Sequence, residues 1–555
     1  MHMNDIKAFI KTHLIKIICV LVGITALIFL TKCTGDTSTS EDETAQVPVK
    51  TATVIKMNEE KQGGNLNIYM PKGATTLNPY RTSDSSLDDI YALIYEKLVY
   101  ISSNNKPTPL LAESWEASAD GMSYTVTIKS GVTFSNGAKL TSADVLYTYN
   151  YIKATSAGIT KYTDMISSIA SIEVIDDTHF KVNGTKAGLN TLYALNFPVL
   201  CKSYNNASTP MGTGPYKVSS YVKDSKLVLI PNTNWWKPQP YIKTITAICY
   251  SSEQNALEAF AKGDLDVIDT ASVSSDVYRK SASANRYKLN TTELNYIMVN
   301  TSKANLNKKA FRQALSYAID KKKIINYVFI SHADPVDEPI PPTDWRYSIS
   351  YTQYDYDQEK AVSLFKSIGI TQKEIVDSTS GLKTYKLMQG SSQISLKLLI
   401  IDDDSSTIKN EIADNITNDL AKVGISVTIV KQTYDTYLNS LKSGDYDLAL
   451  CNVTLKNDMD ISNMLTNNAA ASKYINYSRY YNATLLSYIN NYTSSTDETT
   501  ILKNTELFEQ LFTDEVPFIC LNFRSRSLLI DDKVAGISDI FTDNVFNGVN
   551  EWYIK

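Results

Sequence analysis

Residues 394–451 alternate short apolar runs with amphipathic segments, and this alternation constrains the fold more than any other feature. Three buried strands are predicted, over residues 394–400, 425–430 and 446–451. A helix ending at Gly424 separates the first two, and a helix over residues 434–441 separates the last two. Strands joined through helices pair in parallel. The sequence therefore predicts an α/β fold with helices packed on a largely parallel sheet.

A second unit of this kind lies earlier, with a strand over residues 245–249, a helix stopped by Gly263 and a strand at Leu265 and Val267. Residues 260–268 and 441–449 share a pattern of helix end, Gly, two Asp and strand. We therefore expect two lobes of similar local design. Ligands of such sheets lie beyond the carboxyl ends of the strands, so two facing lobes would enclose a cleft.

Two apolar strands are predicted to connect the lobes. One lies near residues 296–300, before an amphipathic helix, and the other near residues 516–523, after a helix. If the chain enters the second lobe near residue 300 and returns near residue 520, the first lobe is discontinuous and the two strands form a hinge. The predicted ranges are 65–298 with 518–555 for lobe 1, and 299–517 for lobe 2.

Residues 109–153 carry a distinctive order of local structures. Tyr124, Val126 and Ile128 alternate as a half-buried strand, Asn136-Gly137 supplies a turn, and Thr141 with Asp144 forms a capping box that starts a helix. This segment resembles the oligopeptide- and dipeptide-binding proteins of bacterial ABC importers. The motifs that carry the resemblance are Leu-Leu-Ala-Glu-Ser-Trp, Phe-Ser-Asn-Gly and Leu-Thr-Ser-Ala-Asp-Val.

The resemblance extends over residues 62–555. Its further motifs are Leu77-Asn78-Pro79, Gly212 to Tyr216, Phe311 to Asp320, Tyr356 to Ala361 and Gly444 to Asp447. It implies a two-lobed, type II periplasmic-binding-protein-like fold with a subdomain inserted in lobe 1 at about residues 101–203. It also implies a receptor, without catalytic residues or cofactor, that captures peptides and delivers them to ABC permease subunits.

In that family a carboxylate binds the peptide ammonium, just past the strand corresponding to residues 446–451. The family segment resembles Trp-x-x-Asp-x-x-Asp/Glu-Pro, and residues 452–460 lack its Trp and Pro. Alignment on Asp460 places Asn457 at the amine-binding position, whereas a shift of one residue places Asp458 there. Both alternatives stay open.

Polar and aromatic residues are the other candidates for the cleft. The expected wall residues are Asn78, Tyr80, Tyr296, Asn300, Trp345 and the Trp235-Trp236 pair. Three arginines are alternatives for binding a ligand carboxylate, namely Arg346, Arg524 and Arg526.

The N-terminus is predicted to direct export. Lysines precede and follow 14 nearly uninterrupted apolar residues from Ile17 to Leu30. As a helix these would rise about 21 Å, less than the roughly 30 Å of a hydrocarbon core. Residues 30–33 are similar to a bacterial lipobox, with Cys33 as the lipidated residue, although Lys32 leaves an uncleaved anchor as the alternative. Residues 1–33 are thus an export segment, and polar residues 34–64 a disordered tether.

Composition narrows the classes of function. The net charge is −5, with no extended basic block, so nucleic acid is not an expected partner. Only four His occur, which argues against a His-rich metal site. GxSxG, HExxH and P-loop motifs are absent from the sequence. We expect a monomer held at the outer face of the cell membrane. Alternatives are a receptor for an oligosaccharide or other small solute, a surface hydrolase, or a structural lipoprotein.

Overall fold

The computed structural model describes residues 61–555 except 75, 84, 157–158, 204–209, 282, 403–406 and 468–474. The predicted export segment, with Cys33, and the predicted tether up to residue 60 lie outside the described residues. Within the described ranges, no helix combines the length and the apolar character that crossing a membrane requires.

The region up to residue 203 is rich in short strands. Its strands are β1 (Asn65–Pro71), β2 (Val99–Ile101), β3 (Pro107–Pro109), β4 (Ala112–Ala117), β5 (Ser123–Ile128), β6 (Ile169–Val174) and β7 (His179–Gly184). Its helices are α1 (Asp88–Ile94), α2 (Ser142–Ala154), α3 (Tyr162–Met165) and α4 (Asn190–Tyr193). Strands β4, β5, β7 and β6 form an antiparallel sheet in that order. The predicted capping box of Thr141 and Asp144 begins α2, as expected.

The next region, up to residue 299, adds strands to the main sheet. Its elements are β8 (Tyr216–Val222), β9 (Lys226–Pro231), β10 (Thr244–Tyr250), α5 (Glu253–Lys262), β11 (Val267–Thr270), α6 (Ser275–Ser281) and β12 (Ala284–Val299). Both β10 and β11 pair in parallel with β1, which lies between them. Helix α5 ends at Gly263, whose φ of 83° is in the left-handed region that favours glycine. The predicted βαβ unit is confirmed.

Residues 309–517 contain the alternating region. The helices are α7 (Lys309–Ala318), α8 (Lys321–Tyr327), α9 (Gln358–Ser367), α10 (Ile408–Lys422), α11 (Tyr434–Ser443), α12 (Ser462–Leu465), α13 (Ala483–Thr493) and α14 (Glu498–Glu515). The strands are β13 (Ala333–Pro335), β14 (Thr371–Val376), β15 (Lys383–Gln389), β16 (Ser392–Gln393), β17 (Ser395–Ile401), β18 (Ser426–Gln432) and β19 (Leu448–Thr454). As predicted, β17 pairs in parallel with both β18 and β19.

The last strands of the chain, within residues 518–555, are β20 (Phe518–Asp531), β21 (Val534–Ala535) and β22 (Tyr553–Ile554). The main sheet has the strand order β18-β17-β19-β12-β20-β11-β1-β10-β9-β8. We call the end containing β11, β1, β10, β9 and β8, with the β-rich region before residue 203, lobe 1. The end containing β18, β17 and β19, with its helices, is lobe 2.

Strands β12 and β20 run through both lobes. The first part of β12 pairs with the last part of β20, beside β11 in lobe 1, whereas Glu293 to Val299 pair with β19 in lobe 2. The β12–β20 register shifts between Asn290 and Leu294, so the ladder is irregular where the sheet passes from one lobe to the other. The predicted domain boundaries at 298/299 and 517/518 stay predictions, and both lie at an end of one of these two strands.

The residue pattern predicts a helix over about residues 86–98, whereas helix α1 ends at Ile94. After Tyr95 the chain becomes extended, and the Ile94 carbonyl accepts a hydrogen bond from Gly214 N (3.0 Å). The carbonyls of Glu96 and Lys97 likewise bond to Val199 N (3.0 Å) and Leu111 N (3.1 Å). Tertiary backbone hydrogen bonds therefore replace the helical ones that local spacing favoured.

Candidate functional site

The loop that leaves the carboxyl end of β19 contains Asn457, Asp458 and Asp460. Buried Arg346 holds this loop through its backbone: Nη2 donates to Asn457 O (2.7 Å) and Nη1 donates to Asp458 O (2.8 Å). Arg346 is itself fixed by two 2.8 Å hydrogen bonds to the carboxylate of Asp344. These hydrogen bonds fix the backbone of the loop. They use no side-chain atom of Asn457 or Asp458, so both side chains can interact with other groups.

Lobe 1 contacts this loop through its β-rich region. Asn105 Nδ2 donates to both Asp344 Oδ2 (2.6 Å) and Asn457 O (3.0 Å). The Tyr193 hydroxyl donates to Asn105 O (2.8 Å) and accepts from Trp345 Nε1 (3.3 Å). Trp345 N donates to Asn104 O (2.9 Å). These polar contacts join the two lobes at the edge where the carboxyl end of β19 lies.

Further contacts between the lobes surround this polar cluster. Lys106 Nζ lies 2.8 Å from Glu498 Oε2, and Lys186 Nζ lies 3.5 Å from Asp460 Oδ2. Gly188 approaches the backbone of Thr493 so closely that an added Cβ would lie 2.0 Å from the Thr493 oxygen. The lobes are therefore in contact, and the contact permits no side chain at residue 188.

Asp458 differs electrostatically from its neighbour Asp460. Its Oδ1 accepts from Asp460 N (3.0 Å), and it forms no ion pair with any of the residues that the structure describes. Burial raises the pKa of the Asp458 carboxyl from its ordinary value. A half-buried carboxylate without a cationic partner is suited to bind a cationic group from outside the protein.

Four of the predicted wall residues are buried and have partners within the protein. Asn78 donates to the Tyr151 hydroxyl (3.2 Å), and the Tyr80 hydroxyl donates to Pro198 O. Tyr296 packs on Phe518 in the core of lobe 2. Asn300 donates to Tyr446 O (2.9 Å), at the amino end of β19 and thus at the edge opposite Asp458. The structure does not bring these four residues to the loop of Asn457, Asp458 and Asp460, and their role in a ligand wall stays a prediction.

Trp345, Asn457, Asp458 and Asp460 are the predicted site residues that the structure brings together. Asn105, Tyr193, Asp344 and Lys186 also belong to this cluster, and our sequence analysis did not name them. Asp344 stands two residues before Arg346, and this spacing is a signal that would have predicted their pairing. Asn105 and Tyr193 offer no comparable local signal, because long-range contacts bring them to lobe 2.

The predicted Trp235-Trp236 pair lies elsewhere. Both indole N–H groups donate to the buried carboxylate of Glu96, Trp235 at 3.2 Å and Trp236 at 2.7 Å. Burial raises the pKa of Glu96. These contacts lie within lobe 1, so the pair stabilises that lobe and is separate from the cluster at Asp458.

The three candidate arginines all have acidic partners. Arg346 pairs with Asp344, Arg524 Nη1 lies 3.3 Å from Glu293 Oε1, and Arg526 Nη2 lies 2.9 Å from Asp269 Oδ2. Arg346 is committed to the loop backbone as well. Only Arg524 retains a buried guanidinium nitrogen, Nε, without a hydrogen-bond partner in the described part of the chain. The choice between Arg524 and Arg526 stays open.

Metal ligation has no support among the described residues, which contain no group of three or more His, Cys, Asp or Glu side chains placed to hold an ion. His332 is buried between Arg286 (2.7 Å) and Ser527 (3.3 Å). His179 pairs with Asp176 at an exposed turn. The two histidines of the described residues thus lie in different surroundings, one buried and one at an exposed turn.

Comparison with known proteins identifies a family. Residues 106–474 match the model of the bacterial extracellular solute-binding proteins, family 5, middle region. The chain is 26% identical over 451 residues to the dipeptide-binding protein of Escherichia coli, which covers 74% of this chain and 81% of that protein. It is 22% identical over 553 residues to the oligopeptide-binding protein AppA of Bacillus subtilis, covering 95% and 96%.

Solved structures share the fold. A nickel ABC transporter protein of Bacillus halodurans matches with a TM-score of 0.75 and 18% identity, covering 89% of this chain and all of that one. AppA of Bacillus subtilis in complex with a nonapeptide matches with a TM-score of 0.60 and 20% identity, covering 89% and 99%. The predicted two-lobed, type II periplasmic-binding-protein-like fold is confirmed.

Proposed function

Because the chain belongs to the bacterial extracellular solute-binding proteins of family 5, we propose that it captures peptides between its lobes and presents them to its ABC permease. The family assignment makes it a solute-binding receptor of an importer and not an enzyme. Binding energy then serves to close the lobes, without any covalent step. We further propose that β12 and β20 act as the hinge, with the register shift near residues 290–294 as the flexing point.

The observation that carries the peptide proposal is Asp458. A peptide lying in the cleft presents a free ammonium group, and the Asp458 carboxylate is half-buried without an ion pair among the described residues. Relatives that are named as dipeptide- and oligopeptide-binding proteins support the same solute class. Asn457 is the less suitable partner, because an amide carries no charge to balance an ammonium.

Membrane attachment is a separate part of the proposal. The apolar segment and Cys33 would hold the protein at the outer face of the cell membrane as a monomer, and residues 34–64 would let the receptor reach its permease. Metabolic labelling with a palmitate analogue tests this part. Loss of label in Cys33→Ala is expected, whereas unlabelled wild type would favour the uncleaved anchor.

The first experiment is native mass spectrometry of residues 62–555, followed by denaturation and fragmentation of any released solute. Recovered peptides of varied sequence would support the proposal, because backbone contacts and ammonium capture do not read side chains. A single sugar or other compound would overturn the peptide assignment while keeping the receptor.

The recovered peptides then test Asp458 by calorimetry. Asp458→Asn should weaken binding by about 2 kcal/mol, roughly 30-fold, since a charged hydrogen bond to the ammonium is lost. The matched control is Asp460→Asn, whose side chain already pairs with Lys186. Equal effects of the two substitutions would argue against Asp458 as the ammonium ligand.

A further inference from the structure

The segment of residues 338–348 carries Trp345 and Arg346, and a buried glutamate holds each of its ends. Ile340 N donates to Glu338 Oε2 (2.6 Å), and Ser348 N donates to Glu509 Oε1 (3.1 Å). Glu338 is 0% exposed and Glu509, on α14, is 1% exposed. The segment that contacts lobe 1 is therefore anchored in lobe 2 by two fully buried carboxyl groups.

In each of these carboxyl groups, one oxygen takes no part in the hydrogen bond to the segment. Glu338 Oε1 and Glu509 Oε2 are buried and have no hydrogen-bond partner in the part of the chain that the structure describes. Two ionised carboxylates in this setting would be costly, because neither desolvated charge is balanced. A proton retained by the two carboxyl groups removes one of these buried charges, because a protonated carboxyl group is neutral.

Among the described residues around the pair, no cation is free to replace that proton. The groups that face the pair are the carboxylates of Asp337, Asp344 and Glu506, the hydroxyls of Tyr347 and Tyr351, and the thiol of Cys520. Lys321 is also close, but its ammonium bonds to Asp337 and to Val336 O. Arg346 is committed to Asp344.

We propose that the buried carboxyl groups of Glu338 and Glu509 together retain a proton and act as positioning residues, which hold the 338–348 segment where Trp345 and Arg346 meet lobe 1. This inference rests on the contacts between the lobes and stands whether or not the solute is a peptide. It adds a buried acid pair to the determinants of lobe contact.

Burial raises the pKa of Glu509 from 4.5 to about 8, and it raises the pKa of Glu338 well above its ordinary value, with the charge of Glu509 adding to the effect. Carboxyl groups with raised pKa bind protons more tightly in the folded than in the unfolded protein. Their contribution to stability is complete below about pH 4.5 and is lost as the pH rises to about 8. Wild-type Tm should therefore fall over this range.

The test compares Tm between pH 5 and pH 9 for the wild type and Glu509→Gln, both without their tether and with a chelator present. The Gln oxygen can still accept from Ser348 N, while the neutral amide takes the place of the carboxyl group, so that Glu338 no longer feels a second charge. The variant should lose several degrees less than the wild type across this range. Glu506→Gln removes a neighbouring charge but leaves the pair, so it should follow the wild type.

A second readout separates positioning from simple stability. The emission contributed by Trp345, taken as the difference between each protein and its Trp345→Phe counterpart, should change at alkaline pH in the wild type and stay constant in Glu509→Gln. Parallel Tm profiles, or a constant Trp345 contribution in the wild type, would overturn the proposal.

Two further outcomes are decisive. The first is a stoichiometric metal in the purified protein together with a Tm that falls when a chelator is added. This result would mean that a metal cation, and not a proton, neutralises the Glu338–Glu509 pair, and it would overturn the proposal. Glu338→Gln is the second variant, in case Glu509→Gln does not fold. If both lack the wild-type near-ultraviolet circular dichroism at pH 5, where the pair should carry its proton, the proposal also fails.

Discussion

Asp266 in lobe 1 and Asp447 in lobe 2 make the same contact in the two halves of the main sheet. Asp266 N donates to Asn67 O (2.8 Å) and its Oδ2 accepts from Asn67 N (2.7 Å). Asp447 N donates to Lys397 O (3.3 Å) and its Oδ2 accepts from Lys397 N (2.8 Å). Each Asp thus clamps the start of the neighbouring parallel strand. The repeated Gly-Asp-x-Asp pattern therefore builds the scaffold of both lobes.

The Lys106–Glu498 pair between the lobes is a contact of another kind. The Asp266 clamp is buried, and Asp447 is half-buried. The side chains of the Lys106–Glu498 pair are 40% and 58% exposed. The clamps stabilise the fold of their lobes, whereas an exposed ion pair such as Lys106–Glu498 contributes little and separates readily. If the lobes open and close as proposed, the exposed pair would separate at little cost while both clamps stay intact.

The clamps should give the largest effects. Asp266→Ala and Asp447→Ala each remove the acceptor of a strand N–H, so each should lower the free energy of unfolding in urea by about 2–3 kcal/mol. Asp266→Ala should cost more, because it also breaks the ion pair with Lys533 (2.5 Å). Exposed Asp264 provides the control, with Asp264→Ala expected within about 0.5 kcal/mol of wild type. If only one of the two substitutions lowered the free energy of unfolding, the two clamps would not be equivalent.

Gly188→Ala should act on closure and less on stability. Its methyl group would lie 2.0 Å from Thr493 O, so the lobes could not approach to the present distance. We expect a larger radius of gyration in X-ray scattering with solute present and affinity that falls roughly tenfold, about 1.4 kcal/mol. Gly131→Ala is the control, because Gly131 has a similar positive φ of 79° with nothing within 4 Å. Compaction equal to wild type in Gly188→Ala would contradict this role.

The two helix-ending glycines compare the lobes more finely. Gly263→Ala and Gly444→Ala place a side chain at φ values of 83° and 80°, which costs about 1 kcal/mol each. Gly444→Ala should cost a few tenths more, because its Cβ would meet Arg479 at 2.8 Å, whereas Gly263 has open space. Urea unfolding of the two variants measures the difference. A larger loss for Gly263→Ala would show that Arg479 yields without cost.

The smallest effect should come from the exposed pair between the lobes. Lys106→Ala should change the free energy of unfolding by about 0.5 kcal/mol or less at low salt, and by less at 1 M salt. Lys322→Ala, which removes an exposed pair with Asp355 inside lobe 2, is the matched control. If Lys106→Ala alone lowered the free energy of unfolding by more than about 1 kcal/mol, this contact between the lobes would contribute to stability and not only to closure.

Local pattern predicted the elements well where each helix or strand satisfies its own backbone or pairs with a neighbour. The βαβ unit at residues 244–270, the capping box at Thr141 and the parallel strands β17, β18 and β19 are examples. The helix predicted at α1 was too long, because the carbonyls of Ile94, Glu96 and Lys97 bond to distant parts of the chain. Periodicity does not report such long-range competition.

The candidate site was predicted less completely than the fold. The loop of Asn457, Asp458 and Asp460 was accessible from the sequence, because it follows a parallel strand at its carboxyl end. Tyr80 and Asn300 have the residue types of a ligand wall, yet the first lies in the core of lobe 1 and the second at the opposite edge of the lobe 2 sheet. Residue type alone does not distinguish a buried hydrogen bond from a binding surface.

The amino-acid sequence by itself determined the α/β class, the family and the position of the loop after β19, because these depend on periodicity, turn residues and motif spacing along the chain. Only the tertiary structure decided that Asn105 meets Asp344 and that Tyr193 meets Trp345. It also decided that Arg346 holds the backbone of Asn457 and Asp458, and that buried Glu338 and Glu509 hold the ends of the 338–348 segment. These pairings join residues far apart in the chain or depend on burial. Both arise only when the lobes have folded and come into contact.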